Sequence, residues 1–190
     1  FGLRLLNRRG CFPKFDKFIE QTKDVWTHLV DIRKSFEPRA EELAKKYALA
    51  PYTMFIGSGA LWGETILFSM CILEEMQWKR TRYITSADFF HGTLELVEPG
   101  VPVFLFMGED ENRKLDERVR AFLTRGVTGD TDINIIDTAE FAIPGLDDEF
   151  RVIVSPWILS SLITDRLAAY YETVTKHNLN YRRYYHQFDY

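Results

Sequence analysis

Two cysteines, four histidines and no excess of basic residues mark this 190-residue chain. Cys11 lies in the turn-like "RRGCFP" and Cys71 inside an apolar run. Two thiols cannot build a disulfide framework, and these stand at no metal-ligand spacing, which favours a reducing, cytoplasmic setting. Lys and Arg number 24 against 28 Asp and Glu, a net charge of −4. That balance argues against a general nucleic-acid or anionic-membrane surface, but it leaves room for an anionic small molecule held by a local cluster of donors. No secretory leader is read in "FGLRLLNRRG", whose apolar run is too short and whose charge is misplaced. The longest apolar stretch, 61–78, is interrupted by Glu64, Glu74 and Glu75, so no membrane span is expected there. There is no internal repeat and no low-complexity segment.

What is present suits a packed globular domain: 46% hydrophobic residues, with aromatics at 15% spread along the chain. The length suffices for one α/β domain with an appendage. Because the first residues are apolar and helix-like, the expectation is that the sequence forms the back part of a longer protein.

Residues 14–36 carry apolar positions at helical spacing, and Pro38 is placed to start a second helix, "PRAEELAKKYA". The pattern then alternates. Strands are predicted at 52–56, 81–85, 101–107, 133–137 and, in "FRVIV", 150–154. Helices are predicted at 61–78, in "LDERVRAFLTR", and from Pro156 to Val174, ahead of a basic, tyrosine-rich tail. Short β-branched or aromatic strands separated by helices imply a parallel sheet covered on both faces. The expected fold is a three-layer αβα sandwich with about five parallel strands. Residues 1–48 are read as a helical lead-in, 49–176 as the domain, and 177–190 as a C-terminal tail.

Ligands of open α/β sheets bind beyond the carboxyl ends of the strands. Two segments lie there. "IGSGALWG" opens a helix, and its glycines would let backbone N–H groups approach an anion or hydroxyl. It lacks the third glycine of the dinucleotide fingerprint. "TSADFFHGT" places His91 after a strand end, whereas His28 falls in the lead-in and His177 and His186 in the tail. A proton-transferring imidazole needs a partner of different pKa, usually a carboxylate. Glu64, Glu74 and Glu75 all lie on the long apolar helix, and on an ideal helical wheel Glu64 and Glu75 are about 20° apart. Spacing does not choose among the three.

"IGSGALWG", "LEEMQW", "SADFFHG", "VEPGVPVFLF" and "GEDENRKLDER", in this order and with the ending "YRRYYHQFDY", resemble the second sugar-isomerase (SIS) domain of the fructosamine-6-phosphate deglycases. The resemblance covers essentially the whole chain. It implies hydrolysis of a 6-phosphorylated Amadori compound, without metal or organic cofactor. It also implies a glutamate sixteen positions before the histidine, which selects Glu75 as general base with His91 as acid. Asp88 and Thr93 stand where many relatives have glutamate and proline. The resemblance further implies a phosphate site in a preceding SIS domain, and an active site at the interface of a homodimer or larger homo-oligomer. Ser58, Gly59 and Ser86 at the strand ends, and Arg183 beside Arg182 in the tail, are the candidate substrate contacts. The substrate is a phosphosugar, with no nucleic-acid or membrane partner expected.

Two other readings use the same residues. The Glu75–His91 spacing also occurs in isomerase domains of the glucosamine-6-phosphate synthase type, so an aldose–ketose isomerase is a rival. A non-catalytic phosphosugar sensor is the other, although it should lack the acid–base pair and carry a DNA-binding segment.

Overall fold

The computed structural model describes residues 1–126 and 128–189. Four parallel strands, β1 (Thr53–Gly57), β2 (Thr81–Ile84), β3 (Val103–Met107) and β4 (Ile133–Asp137), form one sheet in the order β2-β1-β3-β4. All residues of the two central strands are buried, as expected of continuous apolar runs in a sheet covered on both faces. Alternation then divides them. Phe55, Phe104, Phe106 and Ile136 face one layer, while Met54, Ile56, Val103, Leu105 and Met107 face the other. The first face carries stacked rings, with Phe55 5.2 Å from Phe104 and 6.0 Å from Phe106. Each such ring contributes about 1.5–3 kcal/mol through burial.

Short helices α1 (Gly2–Arg8) and α2 (Phe15–Gln21) lead into the long α3 (Val25–Tyr47). The predicted helix over 14–36 is thus broken at residues 22–24, whereas no break falls at Pro38, which lies inside α3. The physical reason is exposure. Pro38 and Lys34 both lie on the solvent side, so water can take the Lys34 carbonyl that proline leaves without a partner. The buried stripe Leu29, Ile32, Phe36, Ala40 and Leu43 runs past it unbroken.

The predicted fifth strand is a helix. "FRVIV" belongs to α6 (Asp148–Ser160), so the sheet has four strands among the described residues. Asp148 and Glu149 in its first turn suit a helix N-terminus, and Pro156 lies within the helix instead of starting it. A wide-turned segment (Ser161–Leu167) and α7 (Ala168–Thr175) continue the same rod. By length and composition Asp148–Thr175 could cross a bilayer, but half of its most apolar window is buried inside the fold. It packs with α3 and the first sheet face in one core that includes Ile158, Leu162, Leu167 and Tyr171. The opposite face is covered by α5 (Arg113–Leu123) through Val119 and Leu123, and by Phe89 from the loop after β2.

The predicted helix over 61–78 begins with a tight turn (Gly59–Leu61) and one helical turn, α4 (Trp62–Ile66). It then widens into a π-helix, Leu67–Met76, with i→i+5 hydrogen bonding. That widening changes the phase of every side chain after Ile66.

Candidate active site

Sequence reasoning singled out residues from two loops, one helix and the tail, and the structure gathers them into three separate places. At the strand ends Ser58 and Ser86 are buried and joined: the Ser86 backbone N–H donates to Ser58 Oγ at 2.8 Å. The Ser86 hydroxyl donates to Asp116 Oδ1 at 2.6 Å, and the Gly108 N–H to Asp116 Oδ2 at 3.3 Å. Burial pushes the Asp116 carboxyl above its ordinary range, partly offset by these donors. The two serines therefore tie the ends of β1 and β2 to α5.

Gly59 has φ +55°, and a β-carbon there would meet the Asp110 carboxylate. Asp110 accepts the Ala60 N–H at 2.5 Å and the Asn112 N–H at 2.7 Å. The donor that the sequence offers to an anionic ligand is thus taken by the protein's own carboxylate. Beside it, a cleft of about 650 Å³ is lined by Glu109, Asp110, Glu111, Asp148 and Glu149, an environment that disfavours a phosphate.

Glu75 lies elsewhere, near the end of the π-helix. The i→i+5 turn separates it from Glu64, whose half-buried carboxyl is pushed up by desolvation, against a hydrogen bond with Ser160. Glu75 opens on a cleft of about 430 Å³ whose other walls include Trp78, Lys79, Arg182, Arg183, Tyr184 and Tyr185. Arg182 Nε is 2.8 Å from Glu75 Oε1. Neighbouring Glu74 also lines this cleft, and its Oε1 accepts the Thr81 hydroxyl at 2.6 Å. Burial lowers the Lys79 pKa from its ordinary value.

The tail reaches this cleft because it is pinned to the helix end. Gln77 Nε2 donates to the His177 carbonyl at 2.6 Å and Gln77 Oε1 accepts the Thr175 hydroxyl at 2.7 Å. The next residue, Trp78, has φ +54°, a left-handed conformation that costs a bulky side chain about 1–2 kcal/mol. Its indole meets the His177 ring edge to face at 4.3 Å and the Arg183 guanidinium at 4.4 Å.

His91 is exposed, in the loop after β2. Its backbone N–H donates to the Asp88 carbonyl at 2.9 Å, and Asp88 Oδ2 accepts the Thr85 hydroxyl at 2.7 Å. Gly92 follows with φ +114°, and Thr93 is buried. Asp88 therefore shapes the turn that presents His91. His91 is not among the residues lining the Glu75 cleft, and no hydrogen bond or ion pair joins the two within this chain. Trp78, Lys79, Tyr184 and Tyr185 were not singled out from the sequence, since nothing in local spacing shows that the tail folds back onto residues 74–79. Among the described residues, no three His, Cys, Asp or Glu side chains converge to hold a metal ion.

No family model matches the chain. Among curated proteins it is 28% identical over 174 residues to the fructosamine deglycase FrlB of Bacillus subtilis, covering 90% of this chain and 51% of that protein. It is 29% identical over 186 residues to fructoselysine 6-phosphate deglycase of Escherichia coli K12, covering 96% of this chain and 51% of that enzyme. The chain thus spans about half the length of these curated relatives. Among solved structures, a proposed phosphosugar isomerase of Salmonella typhimurium superposes with a TM-score of 0.89 at 25% identity, over 99% of this chain and 57% of that one. A further proposed phosphosugar isomerase, from Bacillus subtilis, gives 0.86 at 28% identity over 93% of this chain and 53% of that one. The deglycase resemblance carried by the motifs and the α/β fold of the SIS phosphosugar isomerases both hold along nearly the whole chain.

Proposed function

We propose that this chain supplies the acid–base half of a fructosamine-6-phosphate deglycase, an enzyme that hydrolyses a 6-phosphorylated Amadori compound to glucose 6-phosphate and a free amine. The observation that carries this reading is the placement of Glu75 in a cleft that also holds Lys79, Arg182 and Arg183, in a chain similar to two deglycases along nearly its whole length. The reaction needs a proton removed from C1 of the open-chain substrate and one delivered at C2, which turns the aminoketose into a C1 imine. Water then adds to that imine and the amine leaves with a proton. A carboxylate beside the C1–C2 edge suits the first transfer, and an imidazole suits ring opening and protonation of the leaving nitrogen. Glu75 takes the first role and His91 the second.

Because His91 is exposed and stands outside the Glu75 cleft, the pair is completed between protomers in this reading, with His91 of one chain serving the pocket of another. The acidic character of the strand-end cleft fits a phosphate bound outside it, in a preceding domain. The test is release of glucose 6-phosphate from fructoselysine and fructose-aspartate 6-phosphates by the full-length protein. Interconversion of sugar phosphates without amine release would move the assignment to an aldose–ketose isomerase.

A further inference from the structure

The tail residue Arg182 is unusually well held for a side chain in a basic, largely exposed segment. Its side chain is 18% exposed, while Arg183, Tyr184 and Tyr185 on the same stretch are exposed. Nη1 donates to the carbonyls of Leu179 at 2.8 Å and Tyr181 at 2.9 Å. Leu179 is itself fixed, packing against the main core while its N–H donates to Glu172 Oε1 at 3.2 Å. The guanidinium is therefore anchored to backbone that is anchored to α7, and its remaining edge meets one oxygen of Glu75. Arg182 is the only ion-pair partner of Glu75 among the described residues, and the carboxylate lines the cleft.

We infer that Arg182 is a positioning residue for Glu75: it clamps one carboxylate oxygen so that the other is held ready for the proton at C1. This rests on the acid–base reading above and extends it to the tail. A free glutamate side chain samples several rotamers, and a base set in place beforehand does not lose that freedom at the transition state. The role needs arginine. Nη1 meets two backbone carbonyls while Nε meets the carboxylate, and the guanidinium fork fills both positions at once, whereas the single nitrogen of lysine can occupy only one of them.

The test is steady-state turnover of fructoselysine 6-phosphate and fructose-aspartate 6-phosphate by the full-length protein carrying Arg182→Ala, Glu75→Gln or both. Arg182→Ala is expected to lower kcat by about 10- to 100-fold with KM little changed. Added guanidinium should recover part of that loss, whereas Arg182→Lys should not. The double variant should be no slower than Glu75→Gln alone, because a positioning residue has nothing to act on once the base is gone. If Arg182→Ala does not fold, Arg182→Gln, which keeps donors for the carbonyls but removes the charge, carries the same comparison. Wild-type kcat in Arg182→Ala beside an inactive Glu75→Gln would overturn the inference. So would losses in the two single variants that simply multiply in the double. Full activity in Glu75→Gln would overturn the acid–base reading itself.

Discussion

Arg182 lies 2.8 Å from Glu75 and so joins the C-terminal tail to the far end of the π-helix. Through this pair, and through Arg183 against Trp78, a tail rich in arginine and tyrosine becomes a wall of the cleft in which the proposed base sits. The wide turns of Leu67–Met76 matter here, because they give Glu75 a different bearing from the half-buried Glu64.

His91 separates catalysis from folding cleanly. Its side chain is exposed, so His91→Asn should change stability by no more than about 0.5 kcal/mol in a denaturant titration. Deglycase turnover of the assembled protein should nonetheless fall by about 10²–10⁴-fold. Retained turnover would remove His91 from the proposed pair.

Arg151 and Glu109 form a partly buried ion pair, their side chains 12% and 13% exposed. Arg151 Nη2 also donates to the carbonyls of Thr138 at 3.0 Å and Phe141 at 3.1 Å, tying α6 to the loop after β4. Arg151→Ala removes the cation from Glu109 and the donors from both carbonyls, and should destabilise the fold by about 1–3 kcal/mol, measured by urea unfolding.

Asp137, at the end of β4, accepts both Arg113 amino groups, at 2.9 and 2.6 Å, and the Ala139 N–H at 3.0 Å. Burial alone would raise its pKa, but these donors prevail and hold the carboxyl below its ordinary range. A depressed folded-state pKa means that the stabilisation is fully present above the unfolded carboxylate pKa of about 4 and is lost as pH falls through the folded value. Asp137→Asn should therefore cost about 1–3 kcal/mol at pH 7, with the difference from wild type shrinking below about pH 4. A gap that is constant across pH would contradict the pairing.

The four strands were legible because two are wholly buried apolar runs and each is followed by turn-forming residues. "FRVIV" misled because five apolar-rich residues suit either a strand or a buried helix, and the acidic turn at Asp148 and Glu149 marks the helix start. Pro38 misled because the local rule for proline does not know which side of α3 is wet. At the site, the residue types were readable, but Ser58 and Ser86 proved to be buried struts under Asp116, and the Gly59 loop is closed by Asp110. The contact of Arg182 with Glu75 depends on how Gln77 and Trp78 seat the tail, a long-range arrangement that periodicity does not encode.

The most direct measurement is glucose 6-phosphate release from fructoselysine and fructose-aspartate 6-phosphates by the full-length protein and its Glu75→Gln variant. Release by wild type and a fall of about 10²–10⁴-fold in the variant, at unchanged circular dichroism, is the expected result. Equal release by both forms, or none by wild type while sugar phosphates interconvert, would contradict a deglycase built on Glu75.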